Sequence, residues 1–379
     1  MFVCIYVDLA NTKPHKNNSN ISSYPTHNHK PLMKLLHLTL HKGCYNDINY
    51  VFTQLGHDIT SMYFDDGEFS LFHGGDTIFR VTHDRAQKAW DKHKDYFYQF
   101  DGIITSDTCP ISRPLLQNRW DRILLIWVCN RFDYIMQPEN EDPEFFHLIR
   151  DVRNWPLRRI FSFTEVEKIW ARYMRNVDLG DLVIRPQGRN LQSLTLKKTY
   201  DAESGNLDKL YVPLYGNETK MMDLRGKLTE LGFDNEGVKF DHISELLKYK
   251  AVVTIPYGWS TLTLFERMQL GMVCFVPSLT FITQMFQENE HPNRTWWFQP
   301  PYYLAHPERL TDSEWYCEYH KDIFIYFDSW EDLAEKIRTT DYEAETQKLL
   351  EHGERHEKMV VEQWREVMRP FVESGVKFV

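Results

Sequence analysis

The chain has 379 residues, 42% hydrophobic and 26% charged, a length that suits about two domains and a composition that excludes global disorder. Its longest apolar runs, such as Ile123 to Cys129, stop far short of the roughly 20 residues that cross a bilayer, and Met1 to Val7 runs into Asp8, so neither a membrane span nor a signal peptide is expected. With 44 Lys plus Arg against 54 Asp plus Glu, a formal charge of -10, a general electrostatic hold on nucleic acid is not expected, while a local basic pocket for a phosphorylated small molecule is compatible with the balance.

Residues 10 to 31 are polar, rich in Asn, Ser, His and Pro, and read as an exposed loop after an opening strand. Met33 to Leu40 reads as a strand, His41-Lys42-Gly43-Cys44 as a tight turn, and Ile48, Val51, Phe52 and Leu55 fall at helical spacing as far as Gly56. Ile59 to Phe64 supplies a second strand, so residues 33 to 64 form one βαβ unit. A helix near 80 to 98, a strand at Gly102 to Ser106, a short helix after Pro110 and a buried strand at Arg122 to Cys129 follow. Arg159 to Phe163 is a strand, Thr164 caps a helix with Val166, Ile169, Trp170 and Tyr173 along one face, and Asp181 to Arg185 returns to strand. Six strand signals separated by helices predict a parallel sheet covered on both faces.

Residues 186 to 208 lose this pattern and have the composition of an interdomain connection. A second series follows: strand Leu210 to Leu214, helix 222 to 231, strand Val238 to Phe240, helix 242 to 249, strand Ala251 to Pro256, helix 261 to 270 and strand Met272 to Pro277. From about Tyr342 to Val372, Met359, Val360, Trp364, Val367 and Phe371 form one helical stripe opposite Glu and Lys. The expected fold class is α/β: two Rossmann-like doubly wound domains facing a central cleft. The boundaries are 1–190, a linker at 191–208, 209–355, and a closing helix at 356–379.

In open α/β sheets, ligands bind outside the carboxyl ends of strands, where helix N-termini offer free backbone N–H groups. Gly43 sits at such an end, either as a turn glycine or as a point of close backbone approach to a ligand. In the second half, Gly258, Trp259, Ser260, Thr261 and Leu262 join a buried strand to a helix carrying Glu266. Ser260 and Thr261 can cap that helix and cradle a diphosphate, and Glu266 can take ribose hydroxyls or face solvent. Asp107, after strand Gly102 to Ser106, and Asn130, after strand Arg122 to Cys129, also stand at strand ends, and Asp107 can cap the next helix. Neither G-x-G-x-x-G nor a P-loop occurs, and no D-x-D occurs to hold a metal on a sugar nucleotide. The six cysteines are far apart with no C-x-x-C, which fits a reducing compartment such as the cytoplasm. His352 and His356 fall on a charged helix, and His27 and His29 in a polar loop, so solvated roles are expected for all four.

The order of strand Ala251 to Pro256, the Gly-Trp-Ser-Thr turn, Glu266, Gly271 and Pro277 resembles the donor-binding half of GT-B glycosyltransferases. In retaining, family-4-like members two glutamates stand eight positions apart; Glu266 matches the second, and Gly258 occupies the first. Leu55 to Ile59 looks like their first crossover and Val183 to Gly188 like their interdomain passage. Of the Arg and Lys that neutralise the donor diphosphate in that family, Lys220 matches the Lys and Leu214 stands at the Arg. Arg185, Arg189 or Arg225 must then substitute. The resemblance implies a base near Phe240 and Asp241, and a final helix that crosses back to the first domain.

It implies a metal-independent glycosyltransferase, with no cofactor required, moving a sugar from a nucleotide diphosphate donor, UDP first, to a hydroxyl of a glycan or glycoprotein acceptor with retention. Lys220, Asn130 and Asp107 are its catalytic candidates. Gly43, Arg185, Phe240, Asp241, Gly258, Trp259, Ser260, Thr261, Leu262 and Glu266 are its donor-binding ones. A UDP-sugar epimerase of the same plan and a catalytically silent sugar-binding protein are the alternatives. The aromatic-rich composition is similar to glycosyltransferases encoded by large algal viruses, which would place the chain in host cytoplasm.

Overall fold

Strand β4 (Ile123–Val128) reads Ile-Leu-Leu-Ile-Trp-Val and is buried at every residue, as a strand covered by helices on both faces must be. It lies in a computed structural model that describes residues 32–63, 81–130, 132–133, 139–190, 193–200, 207–213, 223–256, 258–288 and 307–374. The chain before it runs β1 (Lys34–Thr39), α1 (Lys42–Gln54), β2 (Asp58–Tyr63), α2 (His83–Phe97), β3 (Gly102–Asp107) and α3 (Arg113–Gln117). After it come α4 (Pro143–Asp151), β5 (Arg158–Ser162) and α5 (Glu165–Arg175). These strands form a parallel sheet in the order β2-β1-β3-β4-β5.

The second half repeats the plan. It runs β6 (Leu207–Tyr211), α6 (Leu224–Glu230), β7 (Asn235–Glu236), β8 (Tyr249–Val253), α7 (Leu262–Leu270), β9 (Cys274–Pro277), α8 (Leu279–Gln287), β10 (Ile325–Phe327), α9 (Trp330–Thr339) and α10 (Tyr342–Glu373). Its parallel sheet is ordered β10-β9-β8-β6-β7. Counted within each half, both orders are second, first, third, fourth, fifth. The chain therefore reverses direction between β1 and β3 and again between β6 and β8, which are the switch points where such sheets take ligands. The expected α/β class with two doubly wound halves is what the topology shows. Among the described residues, no helix is long and apolar enough to cross a membrane.

Several expectations need correction. Asp181 to Arg185 makes only one bridge, Ser162 to Val183, because the Trp127 indole donates to Ile184 O at 2.8 Å and Pro186 has no N–H to continue a ladder. Val238 to Phe240 lies off the second sheet. The two residues of β7 pair instead with Leu210 and Tyr211, and the Tyr211 hydroxyl donates to Val238 O at 3.2 Å. Residues 243–248 form a 3-10 turn rather than an α-helix. Helix α4 was not expected, nor were α8, β10 and α9 after Pro277.

The expected crossing of the closing helix is present. Early in α10, the Thr346 hydroxyl donates to Gly271 O at 2.8 Å, behind α7. Farther along, Gln363 donates to Val183 O at 3.3 Å, and the fully buried Trp364 meets Phe52, Phe161 and Trp127 with ring centroids 5.2, 5.5 and 5.9 Å away. His352 and His356 are not solvated, as charge patterning had suggested, but buried. His356 Nε2 donates to Pro186 O at 2.7 Å, and His352 meets His320 at 3.2 Å. His27 and His29 lie outside the described residues.

Trp364→Ala should cost about 3 to 5 kcal/mol in urea unfolding, the range for emptying a buried aromatic site; an unchanged midpoint would take the end of α10 off the first sheet. Burial, the first cause at each ring, pushes the His37 imidazole down to about 3, those of His57 and His352 to about 4, and that of His356 well below its usual range. At these four positions the unfolded chain binds more protons than the folded one below about pH 6.5, while the Asp47, Asp107 and Glu266 carboxyls, raised by burial, bind more when folded and offset part of this. The four histidines outnumber those carboxyls, so stability should decline from about pH 6.5 toward pH 4, by roughly 1.4 kcal/mol per pH unit for each histidine left uncompensated. Unfolding midpoints flat from pH 7 to 5 would overturn this.

Candidate active site

The carboxyl ends of the two sheets meet at the starts of α1 and α7. His41 is the extended N-cap of α1, and its Nδ1 accepts from Gly43 N at 3.0 Å, so the expected turn at 41 to 44 is already the first helical turn. Thr261 caps α7, its hydroxyl accepting from Leu264 N at 3.2 Å. The other expected cap, Ser260, keeps a buried hydroxyl with no partner. The turn before it is held from behind: Glu314 N donates to Trp259 O and the Trp315 indole to Gly258 O, each at 2.9 Å.

These two starts touch. A Cβ on Gly43 would stand 2.7 Å from Leu262 Cδ1, so the glycine serves close approach between the halves. Lys42 Nζ reaches over to Asp241 O at 3.4 Å. The Phe240 ring lies beside that of Tyr211 on β6, centroids 6.0 Å apart.

Around this contact lie His41, Cys44, Asp107 and Glu266. Asp107 ends β3 in left-handed backbone, φ 80°, a conformation that costs a non-glycine residue about 1 to 3 kcal/mol and clusters at functional sites. Its carbonyl accepts from Cys129 N at 3.1 Å and Asn130 N at 3.0 Å, which fixes the Cys129-Asn130 turn over it. Burial, helped by Cys44 and opposed by His41, pushes its carboxyl up to about 7. Burial likewise raises Glu266, with His41, Arg267 and Lys42 pulling the other way.

His41 is open to solvent on one side and ringed by protein on the others. Burial would lower its imidazole, but hydrogen bonding to Cys44 and the charges of Cys44, Asp107 and Glu266 outweigh it and raise the ring to about 9. That second proton competes with the cap, since an Nδ1 that accepts from Gly43 must be bare. The upward direction wins because three acidic groups face one ring.

Of the residues expected in the site, Gly43, Asp107, Asn130, Gly258, Trp259, Ser260, Thr261 and Leu262 stand at the two sheet ends and helix starts, Glu266 lies one turn into α7, and Phe240 and Asp241 lie in the segment after β7, beside Tyr211 and Lys42. Lys220 lies outside the described residues. The substitute cations are committed elsewhere: Arg185 pairs with the buried Glu314 at 2.6 Å, Arg189 with Glu357 at 2.6 Å, and Arg225 donates to Asn235 at 3.3 Å. Two groups that sequence reasoning passed over, His41 and Lys42, supply positive charge at the contact instead. Their position directly after a buried strand at a switch point was a legible signal. Among the described residues, no group of three or more His, Cys, Asp or Glu is placed to hold a metal.

No family model and no curated protein matches the sequence. Among solved structures, the chain is similar to CalG4, the calicheamicin glycosyltransferase, at 12% identity and a TM-score of 0.39, over 89% of this chain and 98% of that one. It is also similar to a DNA-modifying β-glucosyltransferase studied with and without uridine diphosphoglucose, at 9% identity and 0.43, over 90% and 100%. A UDP-N-acetylglucosamine 2-epimerase gives 13% identity and 0.43, over 90% and 97%. The fold assignment rests on the strand orders, which stand without these likenesses.

Gly43→Ala should destabilise by about 1 to 3 kcal/mol through overpacking, and by less in a Leu262→Ala background. A double-mutant cycle with coupling above about 0.5 kcal/mol would confirm the contact, whereas additive effects would mean that the two helix starts do not touch.

Proposed function

We propose that this chain is a GT-B glycosyltransferase that moves a sugar from a UDP-sugar to a hydroxyl of a glycan or glycoprotein acceptor, with retention and without a metal or cofactor. The observation that supports it most is the pair of helix starts facing each other at two switch points, with Lys42 and His41 between them and Glu266 one turn into α7. The first-turn amides other than those that His41 and Thr261 cap, the positive ends of two helices and two cationic side chains suit a diphosphate. Its charge grows as the sugar leaves, so these groups interact more strongly in the transition state than with the bound donor.

In this reading, Glu266 takes ribose hydroxyls, the Phe240 to Asp241 segment faces the base, and the Ser260 hydroxyl, without a partner in the protein, donates to a phosphate oxygen. Lys220 adds a further cation. Asp107, carrying its proton near neutral pH, donates to a sugar hydroxyl beside Asn130. The departing phosphate oxygen takes the acceptor proton on the face it leaves, so the reading needs no separate base. A chain of this kind works in the cytoplasm, and a viral origin fits its composition.

One observation favours a second reading. Asp107, Glu266, Cys44 and His41 form a cluster of titratable groups displaced from their ordinary ranges, as acid–base sites require. A UDP-sugar epimerase would use such a cluster to remove and return a proton.

Calorimetric titration should show UDP binding that survives chelator, and Glu266→Ala should weaken it by about 1.5 to 3 kcal/mol, the cost of a hydrogen bond to a charged group. Wild type that binds no UDP would sink both readings. Incubation with UDP-sugars separates them: free UDP accumulates in the first, an isomerised UDP-sugar in the second. The His41 proton is lost as pH rises through about 9, so UDP affinity should fall across that range, and His41→Gln should flatten the fall. An unaltered profile would remove His41 from the diphosphate.

A further inference from the structure

Among the described residues three arginines are almost wholly buried, Arg113, Arg158 and Arg267. Arg113 pairs with Asp142 at 2.6 Å and Glu144 at 2.8 Å, while Arg158 donates to Trp120 O at 3.2 Å and lies over the Trp155 ring. Arg267, on α7, is 6% exposed, and its Nε meets no acceptor. Among the described residues its guanidinium makes no hydrogen bond and no ion pair, and it rests beside the Tyr211 ring with Cζ 5.9 Å from the centroid. Glu266, next to it in the chain, forms no ion pair with it, and burial raises that carboxyl toward its neutral form. A buried cation that the chain does not balance is costly, so the position calls for an anion from outside.

Arg267 also lines a cavity enclosed by α7, β9, the approach to β10 and the start of α10. Leu264, Met268, Met272 and Phe324 form apolar walls, and Cys274 and Trp315 complete the lining. The space is about 10 Å³, enough for one water-sized occupant and far too small for a sugar or a nucleotide. Few donors are available there. The Trp315 indole is already committed to Gly258 O, whereas burial, against the pull of Arg267, raises the Cys274 thiol to about 12, so its weak S–H donor is kept at neutral pH.

We infer that Arg267 anchors a small-anion site in the second half, and that its ligand is a halide such as chloride. A sphere of single charge can be held by one guanidinium and one thiol, with the rest of its surface against polarisable methionine and ring groups. Phosphate, sulfate and carboxylate carry several oxygens that each require a donor, and the apolar walls have none to give. This site is separate from the proposed nucleotide site and stands whether or not the chain binds UDP. It does bear on the same turn: Leu264 carries the N–H that Thr261 caps, and Trp315 holds Gly258 O, so two walls of the cavity also support residues 258 to 262.

The full chain is unfolded in urea at constant ionic strength while fluoride is replaced stepwise by chloride or bromide. Fluoride has the same charge but is too strongly hydrated for apolar walls, and as a general salt it stabilises folded proteins at least as well as chloride, so a gain in chloride marks binding. The expected result is a saturable rise in the folding equilibrium constant, about tenfold when chloride stands at about ten times its dissociation constant. Arg267→Met should abolish the rise. Equal midpoints in fluoride, chloride and bromide would overturn the proposal, as would a chloride response that survives in Arg267→Met. Wild-type crystals grown in bromide give a reading that needs no variant: an anomalous peak in contact with Arg267 is expected. Bromide found only on the surface, or a lone water at Arg267, would overturn the site.

Discussion

Four consecutive residues, Arg185 to Gly188, hold both halves in register. Each is fixed by a different element: Arg185 by Glu314, Pro186 O by His356 of α10, Gln187 O by Gln269 of α7 at 2.7 Å, and Gly188 N by Asp47 of α1 at 3.1 Å. Gly188 can accept this because its backbone is left-handed, φ 84°, and because any Cβ there would collide with the Phe265 carbonyl in α7. Two helices from different halves are thus pinned to one short stretch of chain, and their starts are brought together at Gly43 and Leu262. The opposed helix starts are a consequence of this passage as much as of either sheet.

The passage also explains the buried polar groups around it. Asp47 is nearly fully buried, and one carboxyl oxygen has no partner. Burial raises it well above the carboxylate range, with Cys44 and Glu266 adding to the effect and the Gly188 amide opposing. As a neutral acid it still accepts from Gly188 without placing another charge beside Cys44, Asp107 and Glu266. On the other side, Glu314 is held in its charged form by His320 and Arg185 despite burial. Charge is therefore kept as a compensated pair behind the site, and at the site as groups that share few protons, where a bound anion would alter the balance.

The strands and most helices of the first half were legible because branched and aromatic runs alternate with helical spacing, and a switch-point glycine marks the first crossover. The strand expected at Asp181 to Arg185 failed because its carbonyls and amides are recruited by the Trp127 indole and by the passage, a tertiary demand that periodicity does not carry. Helix α4 had a readable start, Asp142 before Pro143, with Asp142 accepting from Phe145 N and Phe145, Phe146 and Ile149 inward. His352 and His356 misled because Glu, Arg and Lys surround them in sequence, while the face they share turns toward Pro186 and His320. The site's glycine, turn and glutamate were legible as a pattern. Which cations faced them was not, because Arg185, Arg189 and Arg225 differ from Lys42 only in what the fold sets beside them.

Contact between Gly43 and Leu262 has a mechanical consequence. With the two helix starts touching, any group that enters between their amides has to part them first. The passage and α10 limit how that happens. His356 and Trp364 lie on one helix, one fastened to Pro186 and the other seated among Phe52, Trp127 and Phe161, so separation at Leu262 must proceed while α10 stays in place. Movement is then directed to the turns themselves, 41 to 43 and 258 to 262, which among the described residues meet through the packing of Leu262 on Gly43, with the long Lys42 to Asp241 contact beside it. A fold pinned behind the site by four consecutive residues and by α10, and packed at its mouth by one leucine on one glycine, concentrates its weakest contact between the halves at the two helix starts.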